Sequence, residues 1–191
     1  KKRKKNILYF HRGKKMGRGS AVIYGLKKAL KNKNIVNYIE MDADMSHRPS
    51  ELKKNISIFN NENLDLLIAS RYLNKSKIIN WPISRRILSK LSNVLARFLL
   101  SVPISDYTNG FRIYSKRATK LVSRKCGKIG DGFIVLSEII IQLDFKKYKI
   151  SETHSVFVNR IRGESSVNSK LFMQSLIGLL NLFLIKKFSK F

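Results

Sequence analysis

The chain is expected to adopt an α/β fold, a sheet flanked by helices, and three observations predict it. Short apolar runs with strand character alternate with helix-length amphipathic segments from one end to the other. The acids Asp42 and Asp44 stand directly after one such run, Ile35 to Met41, as groups at the exit of a strand. With 191 residues, 43% of them hydrophobic, the chain can bury one good-sized core and is most simply a single domain.

In chain order, Ile7 to Phe10 reads as a strand, followed by a glycine-bearing loop and a helix from about Ser20 to Lys31. The strand ending at Met41 leads to a helix from about Pro49 to Phe59, since proline suits a first helical turn. Leu66 to Ala69 is the next strand, and Ser70-Arg71-Tyr72 opens a polar loop that reaches Trp81. From Ile83 the apolar residues Ile83, Ile87, Leu88, Leu91, Val94, Leu95, Phe98 and Leu99 keep the spacing of one helix face. The opposite side carries Arg85, Ser89, Asn93 and Arg97 at steps of four, a single polar row whose ordinary reading is the wet side of an amphipathic helix. Asp106 to Arg112 forms a compact turn into a short strand, and Phe133 to Ile141 is an apolar helix interrupted by Glu138. A buried, unpaired carboxylate costs on the order of several kcal/mol, so Glu138 is expected to have a partner or to face a cleft or water. A strand at Thr153 to Val158, the loop Asn159 to Ser166 and an apolar segment from Leu171 to Ile185 complete the pattern. The division expected is a domain over residues 1–168 and an apolar, basic, membrane-interfacial helix over 169–191.

Lys and Arg total 39 against 12 acids, a formal charge of +27, so polyanions are attracted: nucleic acid, anionic lipid head groups or phosphorylated small molecules. Part of that charge sits on positions of solvated type such as Lys27, Lys28, Lys31 and Lys33. The single cysteine, Cys126, excludes an internal disulfide and reads as a small buried residue. No stretch reaches the roughly 20 apolar residues a spanning helix needs. The aromatic residues form no evident stacking platform, and no zinc or helix-turn-helix signature is visible, which argues against nucleic acid.

Residues 41 to 49, Met-Asp-Ala-Asp-Met-Ser-His-Arg-Pro, hold the chemistry-bearing acids. Alternate residues of a strand point to one side, and hard cations such as Mg2+ or Mn2+ take carboxylate oxygen while leaving positions open for phosphate. The plain alternative is a solvated turn with an Asp cap.

Several segments together resemble the dolichyl- or polyprenyl-phosphate mannose synthases, inverting family 2 glycosyltransferases with a GT-A fold. Gly17-Arg18-Gly19-Ser20-Ala21 with Gly25-Leu26, Met41 to Pro49, Ser70-Arg71-Tyr72, Trp81 with Arg85, Ser89 and Asn93, Asp106-x-Thr108-x-Gly110-Phe111-Arg112, and Arg160-x-x-Gly163-x-Ser165 occur in that family's order. The resemblance implies a GT-A (Rossmann-like nucleotide-diphospho-sugar transferase) sheet and transfer of mannose from GDP-mannose to polyprenyl (dolichyl) phosphate, with UDP-glucose as the rival donor. It implies a metal, Mg2+ or Mn2+, on Asp42 and Asp44, with Ser46 as a weak third ligand where some relatives carry Gln. Asp42, Ala43, Asp44 and Arg71 would bind the donor; Arg85, Ser89, Arg160 and Ser165 the acceptor phosphate; Asp106 would approach the sugar or cap its own turn. Asp44, Arg71, Arg85 and Arg160 carry the catalytic expectation, because a departing diphosphate needs preorganised cationic stabilisation. A phosphate monoester is largely dianionic at neutral pH, so no catalytic base is nominated. His47 is expected behind the ligands rather than among them.

The family begins with a strand ending in Pro-x-Tyr-Asn-Glu and another ending in Asp-Asp-x-Ser. Neither occurs here, so an N-terminally truncated sequence with an open sheet edge and an incomplete nucleotide pocket is expected. This chain also has Ser166 where the family has Lys; Arg162 or Lys170 is expected to compensate. The expected setting is the cytoplasmic face of a membrane, peripherally bound, with a membrane-anchoring subunit as a possible partner and no nucleic acid. The competing readings are a basic nucleic-acid-binding module, which accounts for the charge alone, and a non-catalytic fragment adsorbed to anionic membrane through Leu171 to Ile185.

Overall fold

The computed structural model describes residues 7–14, 16–130, 132–160 and 169–188. Its strands are β1 (Asn37–Glu40), β2 (Leu66–Ser70), β3 (Lys77–Ile79), β4 (Arg112–Ser115), β5 (Ile150–His154) and β6 (Val156–Val158). Its helices are α1 (Arg18–Ala29), α2 (Leu52–Asn61), α3 (Ile83–Leu100), α4 (Lys116–Lys125), α5 (Ile134–Phe145) and α6 (Ser169–Phe188), and a 3-10 turn at Pro49–Glu51 leads into α2. The main sheet has the order β1, β4, β2, β5; β4 runs antiparallel to both neighbours and β5 parallel to β2. A parallel pair, β3 with β6, forms a second small sheet beside it.

The pleat sorts the core. Leu66, Ile68 and Tyr114 point to one face, where they join Ile23 and Leu26 of α1, Val122 of α4, Val135 and Ile139 of α5, and Leu179 and Leu182 of α6. Leu67 and Ile113 point to the other and pack with Phe59 and Leu64 at the end of α2. Because β2 is covered on both faces, all five of its residues are buried, which is why it reads as a continuous apolar run. The approach of α1 to α5 depends on Gly19: a Cβ there would lie 2.4 Å from Val135 Cγ2 and 2.7 Å from the Gly132 carbonyl oxygen.

Several expectations need correction. Ile7 to Phe10 is not a strand: it has no ladder partner among the described residues, and Tyr9 is 85% exposed. Strand character in a sequence is realised only by pairing. The polar loop after Ser70 contains β3, too short to show a periodicity. α4 was not anticipated because its sequence is mostly polar; the Ser115 hydroxyl caps it, accepting from Ala118 N at 3.1 Å. The strand expected over Thr153 to Val158 divides at Ser155, whose N–H turns to the Ser70 carbonyl. Glu138 is buried and has the partners its cost demands, accepting from Gly127 N at 2.7 Å and Lys128 N at 3.4 Å.

The largest reversal concerns α3. Its polar row is not simply the wet side: in its middle Asn93 is buried and Ser89 half-buried, its ends Arg85 and Arg97 are exposed, and Ile83, Ile87, Leu91, Val94 and Phe98 face outward as well. No helix among the described residues is long and apolar enough to cross a membrane.

Candidate active site

The carboxylates leave β1 onto a turn that three contacts hold. Arg18, at the start of α1, forms ion pairs with Glu40 (Nη1 to Oε1, 2.8 Å) and Asp42 (Nη2 to Oδ1, 2.9 Å). Its guanidinium lies where a Cβ on Gly110 would be, 1.6 Å from Nη2, so only glycine leaves room at the mouth of β4. Three residues after Asp42, Met45 takes a left-handed backbone (φ 65), and Ser46 N donates to Asp44 Oδ1 at 3.1 Å. Burial pushes the Asp44 carboxyl upward, but hydrogen bonding from Ser46 and then the charge of Arg160, 3.6 Å from Oδ2, hold it below the ordinary carboxylate range.

His47 is buried beneath this turn. Its Nδ1 accepts from the Asp42 N–H at 3.1 Å and its Nε2 pairs with Asn109 Oδ1 at 3.0 Å, so the bonds require a neutral ring with the proton on Nε2. Burial lowers its pKa in the same direction. Phe111 and Phe157 flank the ring, with centroids at 5.4 and 5.8 Å.

A second unit lies at the end of β2. Arg71 donates from Nε to Asp106 Oδ2 and from Nη2 to Asp106 Oδ1, both at 2.8 Å, and its backbone N–H also reaches Oδ2. Asp106 additionally accepts from Thr108 N and Asn109 N, and Glu152 of β5 accepts from Ser105 N and Asp106 N, pinning that turn to the sheet. Burial alone would raise the Asp106 pKa; the Arg71 charge holds it down. The Arg71 guanidinium is surrounded by the rings of Tyr72, Trp81 and Phe157 at 5.4 to 5.5 Å. Asn93 of α3 completes the unit, accepting from Tyr107 N at 2.6 Å and donating to Thr108 Oγ1 at 3.2 Å. This is why the middle of the polar row of α3, Ser89 and Asn93, turns inward.

Arg71, Arg85, Ser89 and Trp81 then form one end of a cavity of about 640 Å³. Most of the rest of its wall is apolar, built from Leu88, Leu91, Val94 and Leu95 of α3, Ile134 of α5, and Leu176 and Leu179 of α6, with Ser92, Thr108, Ser137 and Ser175 interspersed. The site therefore joins a cationic end to a greasy channel.

Of the residues expected from sequence, Arg71, Arg85 and Ser89 share this cavity, and Arg160 stands with Asp44 instead. Ala43 is exposed on the turn between the two acids. Asp106 has no surface from which to touch a sugar, since it is fully buried and both oxygens are engaged. Ser165, with Arg162 and Gly163, lies outside the described residues, and nothing is described of the Lys170 side chain. Arg18, Asn109 and Glu152 went unnoticed in the sequence as site residues. Arg18 stands within a quoted segment, but its acidic partners are on another element and no spacing rule links them.

Asp42 and Asp44 supply hard oxygen donors on one turn, and the Ser46 hydroxyl beside them is buried with no hydrogen-bond partner among the described residues. No group of three or more His, Cys, Asp or Glu residues is assembled there among the described residues. Such a set fits a hard divalent cation that keeps most of its coordination for phosphate and water, not a closed protein cage.

Residues 1–122 match the profile described as Glycosyl transferase family 2. The chain is 39% identical over 112 residues to polyprenol monophosphomannose synthase of Mycolicibacterium smegmatis, covering 59% of this chain and 42% of that protein. It is 29% identical over 175 residues to undecaprenyl-phosphate mannosyltransferase of Micrococcus luteus, covering 91% of this chain and 70% of that one. Among solved structures it resembles glucosyl-3-phosphoglycerate synthase of Mycobacterium tuberculosis in complex with phosphoglyceric acid, with TM-score 0.58 and 14% identity over 89% of this chain and 56% of that one. The same enzyme with Mn2+, UDP-glucose and phosphoglyceric acid gives TM-score 0.56 and 15% identity, covering 88% of this chain and 55% of that one. These likenesses show the fold, the GT-A arrangement of an α/β sheet between helices.

Proposed function

The chain belongs to glycosyltransferase family 2, and from that premise we propose that it transfers mannose from GDP-mannose to polyprenyl phosphate at the cytoplasmic face of a membrane. The observation that carries the reading is the amphiphilic cavity. An acceptor with an anionic head and a long hydrocarbon tail calls for two arginines and a hydroxyl at one end and an apolar wall behind them, and Arg71, Arg85 and Ser89 with the wall of α3, α5 and α6 supply that pairing. The names of the two curated relatives, a polyprenol monophosphomannose synthase and an undecaprenyl-phosphate mannosyltransferase, support the same acceptor class and sugar.

In this reading the donor diphosphate lies over the Asp42–Asp44 turn, where a bound Mg2+ or Mn2+ supplies charge stabilisation to the departing oxygens. Arg71, fixed by Asp106 and its aromatic surround, contacts phosphate with little reorganisation, and Arg85 meets the acceptor head from the first turns of α3. An acceptor phosphate oxygen forms the new bond to the anomeric carbon while the bond to the diphosphate breaks, inverting that centre. The dianionic phosphate needs no base, and the neutral His47 is buried away from that role.

The test uses the protein with labelled GDP-mannose or UDP-glucose, polyprenyl phosphate, and Mg2+ or Mn2+. Mannose label in the organic phase, lost with chelator and lost in Asp44→Ala, is the expected result. Transfer from UDP-glucose instead would change the sugar and keep the reaction class. No transfer from either donor, or full activity in Asp44→Ala, would overturn the assignment.

A further inference from the structure

We propose that Asn109 is a positioning residue for the transfer: its side-chain amide sets the separation between the Asp42–Asp44 turn and the Arg71 end of the cavity. This deepens the reaction proposed above and rests on that reading. The two groups leave the sheet from strands that do not touch. β1 ends at Glu40 and β2 at Ser70 with β4 between them, so their ends lie two strand spacings apart, roughly 10 Å. β4 is antiparallel to both, and Glu40 and Ile68 each stand opposite Arg112. The residues just before Arg112 therefore arrive between the two strand ends, and Asn109 is three residues before it.

The amide reaches to both sides. Toward β1, Asn109 Oδ1 pairs with His47 Nε2 at 3.0 Å, and His47 Nδ1 accepts from the Asp42 N–H at 3.1 Å. Toward β2, Asn109 Nδ2 donates to the carbonyl of Ala69, two residues before Arg71. With the proton on His47 Nε2, the three bonds run donor to acceptor in one direction, from Asp42 to Ala69, and each polarises the next. Asn109 Oδ1 also accepts from Gly110 N at 3.0 Å, and the Asn109 N–H donates to Asp106 Oδ1 at 3.0 Å, against the carboxylate that holds Arg71. The residue is 2% exposed. A buried side chain that must accept on one side and donate on the other calls for an amide, since a carboxylate has no donor and a methyl group has neither.

A second tether, made of backbone, joins the same ends: Val158 N of β6 donates to the Ser46 carbonyl, and Ser155 N, just before β6, to the Ser70 carbonyl. One tether leaves the two ends free to pivot, whereas two fix their angle as well as their distance. Transfer needs the attacking oxygen, the anomeric carbon and the departing oxygen in line, and a displacement of about 1 Å costs on the order of 100-fold. The β6 tether does not pass through the Asn109 side chain. Loss of the amide is therefore expected to leave a folded chain whose two ends still bind and no longer align.

The test uses Asn109→Ala, which loses both arms, and Asn109→Asp, which is of the same size, keeps the oxygen for His47 and loses the donor to Ala69. Mn2+ affinity is read by electron paramagnetic resonance. The distance from Mn2+ to the phosphorus of geranyl phosphate, with no sugar donor present, is read by electron–nuclear double resonance. The wild type is expected to show one narrow distance, and both variants a broad spread of distances. Mn2+ affinity should change little in Asn109→Ala, while kcat for transfer falls about 100-fold with both KM values kept. A lower Tm with distance and kcat as in the wild type would make Asn109 a folding residue and overturn the proposal, as would failure of both variants to fold. A loss of kcat that follows lost Mn2+ would overturn it too. If the wild type transfers from neither donor, the reaction class fails, and the distance measured without donor still decides for or against Asn109. No fixed Mn2+–phosphorus distance in the wild type would overturn the proposal whatever the transfer activity is.

Discussion

Asp106 grips Arg71 with both carboxylate oxygens, each 2.8 Å from a guanidinium nitrogen, in a pair that is almost wholly buried. Neither partner can be removed without stranding the other. Asp106→Asn is expected to cost about 3–5 kcal/mol of stability, the order found when one member of a buried ion pair is lost. Transfer should fall by about 100-fold or more as Arg71 loses its fixed position. Combining it with Arg71→Met should recover part of the stability in denaturant titration and none of the activity. Recovery of activity would mean that Arg71 contributes only to folding.

The bond from the Asp42 N–H to His47 Nδ1 predicts a split between two half-replacements. Asn at 47 can keep the acceptor near Nδ1, and Gln can keep the donor near Nε2. If the Asp42 bond sets the carboxylates, Mn2+ affinity measured by electron paramagnetic resonance should fall about 10- to 100-fold in His47→Gln and much less in His47→Asn. Equal losses would assign the effect to packing between Phe111 and Phe157.

Gly110 and Arg18 act on one feature, the hold on Asp42. A methyl group at Gly110 must displace the Arg18 guanidinium, and Arg18→Ala removes it and leaves the Glu40 carboxylate, among the described residues, with only the Tyr114 hydroxyl, at a cost of about 1–3 kcal/mol. Gly110→Ala and Arg18→Ala should each raise the KM for the donor, and the double variant should be no worse than the more severe single one. Additive defects would place them on separate features.

Burial raises the Glu138 pKa above its ordinary value despite the two backbone N–H groups it accepts from. The folded state therefore holds this proton more tightly than the unfolded chain. Its contribution to stability is full below the unfolded value, near 4.5, and declines as pH rises through the folded one. Asp65 has the opposite sign. Burial works to raise its pKa, but Arg117, Lys149 N and the Ser115 hydroxyl lower it, so its contribution is lost as pH falls. Denaturant titrations across mildly acid pH should show Glu138→Gln removing the decline and Asp65→Asn removing the loss on the acid side.

Local patterns carried much of the architecture. The alternation of strands and helices, the central strand at Leu66 to Ala69, and the acids at the exit of β1 are short-range features, because period and turn chemistry are written in neighbouring residues. Arg85 and Ser89, expected together at the acceptor and four residues apart on α3, share the cavity, but Arg71, expected with the donor acids, joins them there, and Arg160, expected beside them, stands with Asp44. What only the tertiary structure decided depends on partners distant in the chain. Ile7 to Phe10 has strand composition but no ladder to join. Arg18 finds Glu40 and Asp42 across the start of the sheet, and Asp106 meets Arg71 instead of solvent. The orientation of α3 is the clearest case: its pattern shows two unlike sides but not which one faces in. The backbone N–H of Tyr107 needed a buried partner, and Asn93 Oδ1 supplied it, leaving the apolar side outward.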